Sequence, residues 1–126
     1  MFRKIFESKE IKLLRRQLQS APDDPAAHFN LGAAYEKSGR PKDAICEFEE
    51  TLKRNPKSAE AHYNLALLYE KLGEGENAIL HILKAGNLFG NKNDQLNKVE
   101  ARGLLRQYYR KYNVKSEDFP QTDLQE

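Results

Sequence analysis

Tryptophan is absent from this sequence, cysteine occurs once, at Cys46, and the formal net charge is only +2. A single thiol builds neither an intramolecular disulfide nor a cysteine-cluster metal site, and it fits a reducing, cytoplasmic compartment. The slight charge excess does not mark a nucleic-acid binder. No apolar run approaches the ~18 residues needed to cross a bilayer. The opening stretch from Met1 to Glu7 is charged, with no apolar segment behind it, so a secretory leader is not expected. Catalytic groupings are missing too. Cys46 sits among Glu47, Glu49 and Glu50 rather than beside cations that would favour a thiolate, and Gly73-Glu74-Gly75 is too acidic to cradle phosphate. The chain is expected not to be an enzyme.

What the sequence does contain is order. Its helix breakers are spaced rather than clustered, at Pro22, Pro25, Gly39, Pro41, Pro56, Gly73, Gly75 and Gly90. The stretches between them suit helices of about three to four turns, and alternating strand patterning is missing. The predicted class is all-α. Displaced by 34 residues, the chain matches itself at Ala27/Ala61, His28/His62, Asn30/Asn64, Leu31/Leu65, Tyr35/Tyr69, Glu36/Glu70, Lys37/Lys71, Gly39/Gly73, Ala44/Ala78 and Ile45/Ile79. Small, apolar and turn residues all fall in phase. A period of this length indicates helix–turn–helix units that stack because none buries its apolar face alone.

Leu31 and Tyr35 lie four apart on one helix face, and Ala44 and Phe48 do the same on the next. Gly39 and Gly73 suit the left-handed residue that ends a helix, and Pro41 the first turn of its successor. Asp24 and Ser58 are the expected N-caps. The first unit therefore reads His28, Leu31, Gly32, Tyr35, Ala44, Phe48, Pro56; the second reads His62, Leu65, Ala66, Tyr69, Ala78, Ile82, with Gly90 in place of proline. This pattern resembles the tetratricopeptide (TPR) repeat, with histidine where that family carries tryptophan. The resemblance implies a right-handed α-α superhelix, a TPR solenoid, of two full repeats, residues 22–57 and 58–91.

The same register extends outward. Ile11, Leu14 and Leu18 fall on Ile45, Phe48 and Leu52, so residues 1–20 read as a half-repeat helix. Leu105, Tyr109 and Asn113 take the leucine, tyrosine and turn positions of a capping helix within residues 93–113. Arg106 stands there where a small residue belongs. Residues 114–126, with Pro120 and several carboxylates, are expected to be a disordered tail outside the single domain 1–113.

In TPR proteins the first helices line a concave groove that holds another polypeptide, so the resemblance implies a protein–protein interaction scaffold that binds a peptide or helix of a partner. Carried over by position, the groove comprises Phe29, Asn30, Ala33 and Lys37, then Tyr63, Asn64, Leu67 and Lys71, then Gln107, Arg110 and Lys111. Asn30 and Asn64 offer both donor and acceptor to a peptide main chain. Ala26, Phe29, Glu60 and Tyr63 stand where a carboxylate clamp needs cations, which argues against recognition of a partner's C-terminal carboxylate.

Two other readings start from the ends of the chain. On a continuous helix Phe2, Ile5, Phe6 and Leu13 form a second apolar face. Pairing of two such faces in a homodimer, docking of a partner or membrane surface, and a helix break near Ser8 that folds Phe2 and Phe6 onto the core all account for it. Arg102, Arg106, Arg110 and Lys111, interleaved with Tyr108, Tyr109 and Tyr112, carry a nucleic-acid alternative. Ala101, Leu105, Tyr108 and Tyr112 are expected to be a packing stripe instead. His28 and His62, one repeat apart, are too distant to share an ion, and His81 is on a second helix, so neither metal nor cofactor is expected.

Overall fold

A computed structural model describes residues 7–118, and these contain six α-helices, one 3-10 turn and no strand. The helices are α1 (Lys9–Ser20), α2 (Pro25–Lys37), α3 (Pro41–Arg54), α4 (Ala59–Lys71), α5 (Gly75–Asn91) and α6 (Gln95–Lys111), followed by the turn Ser116–Asp118. They divide into two compact units, with the boundary between Pro56 and Lys57.

In the first unit α2 and α3 form an antiparallel hairpin and α1 lies against α2. Asp24 caps α2 by accepting from the Ala26 amide at 3.0 Å, and Pro25 occupies the first turn, where its missing N–H costs nothing. Asp24→Ala should therefore cost about 1 kcal/mol in a urea unfolding titration, and Asp24→Ser much less. Leu31, Ala34, Tyr35, Ala44 and Phe48 make the core. The close approach of the two helices rests on Gly32. A methyl group there would sit 3.0 Å from the Phe48 ring.

Helix α1 begins at Lys9, with the Ser8 hydroxyl accepting from the Ile11 amide at 3.1 Å. The expected helix over residues 1–20 thus has a start at Ser8. Ile11 is fully buried, whereas Leu13 is 55% exposed. Phe2, Ile5 and Phe6 lie outside the described residues. Charges fasten this end of the unit. Arg15 donates to the Tyr35 hydroxyl at 2.9 Å and to Glu7 at 2.9 Å, while Arg40 stacks 4.5 Å above the Tyr35 ring and donates to Asp43. Arg40 is thereby drawn to Asp43, three residues on, within a cluster that also includes Glu7.

The second unit repeats the hairpin with α4 and α5 and adds α6 against α5. Ser58 caps α4 through the Ala61 amide at 3.2 Å. Its core contains Ala59, Ala66, Ala78, Ile79, Ile82, Ala85, Phe89, Ala101 and Tyr108, with Leu105 and Tyr112 packed against it, so the expected stripe on α6 faces inward. With Gly90 where the first unit has a proline, α5 continues to Asn91, whereas α3 stops at Arg54, ahead of Pro56. The capping helix starts at Gln95, ahead of its repeat-like portion, and this added turn leaves Leu96 86% exposed.

One turn geometry occurs four times among the described residues; at Asn93 φ is 60° and the Asp94 amide returns to the Phe89 carbonyl at 2.9 Å. Gly39, Gly73 and Asn113 all adopt the left-handed conformation, with φ of 72°, 75° and 53°. After each, the next amide returns to a tyrosine carbonyl at 2.9 Å: Arg40 to Tyr35, Glu74 to Tyr69 and Val114 to Tyr109. Asparagine tolerates this conformation better than other side chains, which explains Asn113 at a glycine position.

Candidate partner-binding surface

Helical spacing sets the candidate residues on one face of each first helix. On α2, Asn30, Ala33 and Lys37 follow at three- and four-residue steps, as do Asn64, Leu67 and Lys71 on α4. Gln107 and Lys111 repeat the step on α6, with Arg110 beside them. Asn30, Lys37, Lys71, Gln107 and Arg110 are exposed, and Ala33, Asn64 and Leu67 are half-buried. Neither the Asn30 nor the Asn64 amide side chain has a hydrogen-bond partner among the described residues.

The aromatic residues are more committed. Phe29 meets Phe48 edge to face, with ring centroids 5.3 Å apart. Tyr63 leans on Phe89 at 6.4 Å and donates its hydroxyl to Glu100 at 2.9 Å. Burial first, and then the Glu100 carboxylate, push the Tyr63 phenol up to about 12, so it stays a neutral donor. Lys111 is paired as well: its ammonium donates to Glu70, which also accepts from the Tyr112 hydroxyl at 3.2 Å. That ammonium holds the Glu70 carboxyl below its usual range, and the carboxylate in turn raises Lys111. Among the described residues Arg110 has no ion pair, whereas Lys111 is held by Glu70.

The tyrosines of α6 are also engaged. Tyr108 is buried, and Tyr109 and Tyr112 pack against the core of the second unit. They are not presented as a platform for stacking bases, and the arginines between them lie at the solvated margin. Among the described residues no helix is long and apolar enough to cross a membrane, and no three His, Cys, Asp or Glu side chains gather as metal ligands.

Two antiparallel hairpins built on one 34-residue register, each closed by the same left-handed turn, constitute a helical repeat. A family model described as tetratricopeptide repeat matches residues 11–51 and again residues 34–87, together more than half of the chain. The chain belongs to the tetratricopeptide repeat family. No curated protein matches it. Tetratricopeptide repeats generally mediate protein–protein interactions, and proteins of the family are typically non-catalytic scaffolds.

Within this tetratricopeptide repeat protein the two hairpins differ at a position that sequence reasoning passed over. His28 of the first hairpin contacts Glu47 through Nδ1 and the Pro22 carbonyl through Nε2, each at 2.8 Å. In the second, His62 Nδ1 lies 2.9 Å from His81 Nδ1, and Tyr69 stacks on His81 at 5.6 Å. His81 was set aside in the sequence for being on a second helix, yet that is what brings it to His62. The signal was legible: Glu47 and His81 stand in the same repeat register, each 19 residues after its histidine partner. Two Nδ1 atoms at this distance share one proton, one ring donating and the other accepting. Burial, followed by the nearby His62 and Lys84, pulls His81 down to about 4.

Proposed function

We propose that the chain is an interaction scaffold that holds an extended or helical segment of another protein along the first helices of its repeats. The observation that carries this reading is the pair of amides, Asn30 and Asn64, at one repeat position on successive first helices, neither with a hydrogen-bond partner among the described residues. An amide that spends no hydrogen bond inside its own fold can give one to a ligand main chain, as donor and acceptor together, whatever the ligand's side chains. Phe29 and Tyr63 stand next to the two amides, fixed in place by their packing. Preorganised rings of this kind add contact area at little entropic cost. Ala33 and Leu67 present half-buried apolar side chains on the same faces, and the exposed Arg110 favours an acidic residue of the ligand.

The test is affinity capture with the full chain as bait, quantified against Asn30→Ala, Asn64→Ala and the double variant. Each single change should weaken a captured partner about tenfold, the equivalent of ~1.4 kcal/mol, while far-ultraviolet circular dichroism stays unchanged. If every captured partner binds the double variant as tightly as the wild type, the first-helix surface is not the binding site.

A further inference from the structure

A second surface lies on the other side of α6. At ~100° per residue, Arg102, Leu105 and Arg106 point nearly opposite to Gln107 and Lys111. Together with Ile82, Leu83 and Gly86 of α5 they line an open cavity of about 240 Å³. The repeat register says what this cavity is. Arg106 takes the place of Gly32 and Ala66, and Gly32 is where α2 receives the Phe48 ring of the following helix. The cavity is thus the seat of a second helix in a third hairpin. The chain turns toward it in the usual way, with the Val114 amide returning to the Tyr109 carbonyl. Within the described residues it then makes the short turn Ser116–Asp118.

Three features state the chemistry of an occupant. The cavity presents apolar side chains from Ile82, Leu83 and Leu105, with Asn87 also in its lining. Two cations, Arg102 and Arg106, stand at its rim, both exposed, and neither has a hydrogen bond or ion pair among the described residues. Val99, 64% exposed, lies two turns before Arg106 on the same line of α6 and prolongs the apolar strip. We propose that this seat docks an acidic amphipathic helix of a partner protein. Its apolar edge enters between α5 and α6, and carboxylates spaced a turn apart pair with Arg102 and Arg106. The helix takes the position of a second helix in a third hairpin. A small residue belongs opposite Arg106, because arginine fills the space that Gly32 leaves open in the first hairpin. This surface is separate from the one that carries Asn30 and Asn64, and it does not depend on that reading.

The experiment uses the full chain and a fluorescent 14-residue helical peptide with a leucine-and-alanine edge flanked by glutamates, against the same peptide with lysines. Binding is read by anisotropy and located by amide chemical shifts. The glutamate peptide should bind, shift the Gly86 and Gly103 amides, and lose at least tenfold in affinity to the double variant Arg102→Glu/Arg106→Glu. That variant should in turn bind the lysine peptide in preference. Both arginines are exposed, so the fold tolerates the change. Lys12→Glu/Lys42→Glu, at exposed positions outside the candidate groove, alters net charge equally and should leave binding within about twofold. The proposal is overturned if the Lys12/Lys42 pair matters as much as the arginines, if the two peptides bind alike, or if the shifts gather around Asn64. It is overturned equally if ending the chain after Asp118 moves the Gly86 and Gly103 amides without peptide. The occupant would then be the chain's own residues 119–126.

Discussion

Replacing Phe48 by alanine should lower the stability of the chain by about 3–5 kcal/mol, the range for deleting a fully buried aromatic ring. Whole-domain stabilities are commonly about 5–15 kcal/mol, so this single change removes much of the reserve. The reason lies in how closely the α2–α3 hairpin is built. The ring of Phe48 occupies the space that Gly32 leaves open, and a Cβ on residue 32 would stand 3.0 Å from two ring atoms. Gly32→Ala should accordingly cost about 1–3 kcal/mol through overpacking, despite alanine's better helix propensity. The second hairpin solves the same problem with Ala66 and Ile82, both fully buried. Gly32→Ala combined with Phe48→Ile recreates that pair in the first hairpin. The double variant should be more stable than the sum of the two single losses predicts, by about 1 kcal/mol. Chemical denaturation of the four proteins closes the cycle, and strict additivity would show that the two sites do not share one packing space.

The second large effect is a dependence on pH that originates at His81. In the folded chain His81 titrates at about 4, below the ordinary histidine value of 6.5, because it is buried against His62 with Lys84 nearby. Between these values the unfolded chain binds a proton that the folded chain does not, so stability rises with pH. The contribution is complete above pH 6.5 and is lost as pH falls toward 4. Its size is about 3 kcal/mol, from 2.303RT per pH unit over that window. Unfolding titrations at pH 7, 5.5 and 4.5 should show this loss. His81→Glu converts the pair into a histidine–carboxylate contact like that of His28 with Glu47 at 2.8 Å. The acid-side loss should then shrink or reverse, since a protonated His62 gains a partner. If wild type and variant lose stability in parallel from pH 7 to 4.5, the titrating group is elsewhere.

The fold was legible in the sequence because repetition multiplies weak signals. No single residue among Leu31, Tyr35, Gly39 or Ala44 specifies a helical hairpin, but their return at Leu65, Tyr69, Gly73 and Ala78 does. Helix ends were equally readable where their chemistry is local, as with the Asp24 and Ser58 caps and the left-handed turns at Gly39 and Gly73. The candidate binding residues followed from position alone. The sequence therefore determined the class, the register and which side chains share a helix face.

The tertiary structure decided which of those side chains are already occupied. The sequence offered Arg110 and Lys111 as equivalent cations, but Glu70, 41 residues before Lys111, pairs with the lysine. Position alone puts Tyr63 among the groove residues, and the fold commits its hydroxyl to Glu100 across 37 residues. His81 read as a bystander, and packing of α5 on α4 sets it against His62. The physical reason is the same each time. Period and local capping depend on neighbours within a turn or two, whereas ion pairs, shared protons and the cavity beside Arg102 and Arg106 arise between helices, at distances that the chain order does not encode.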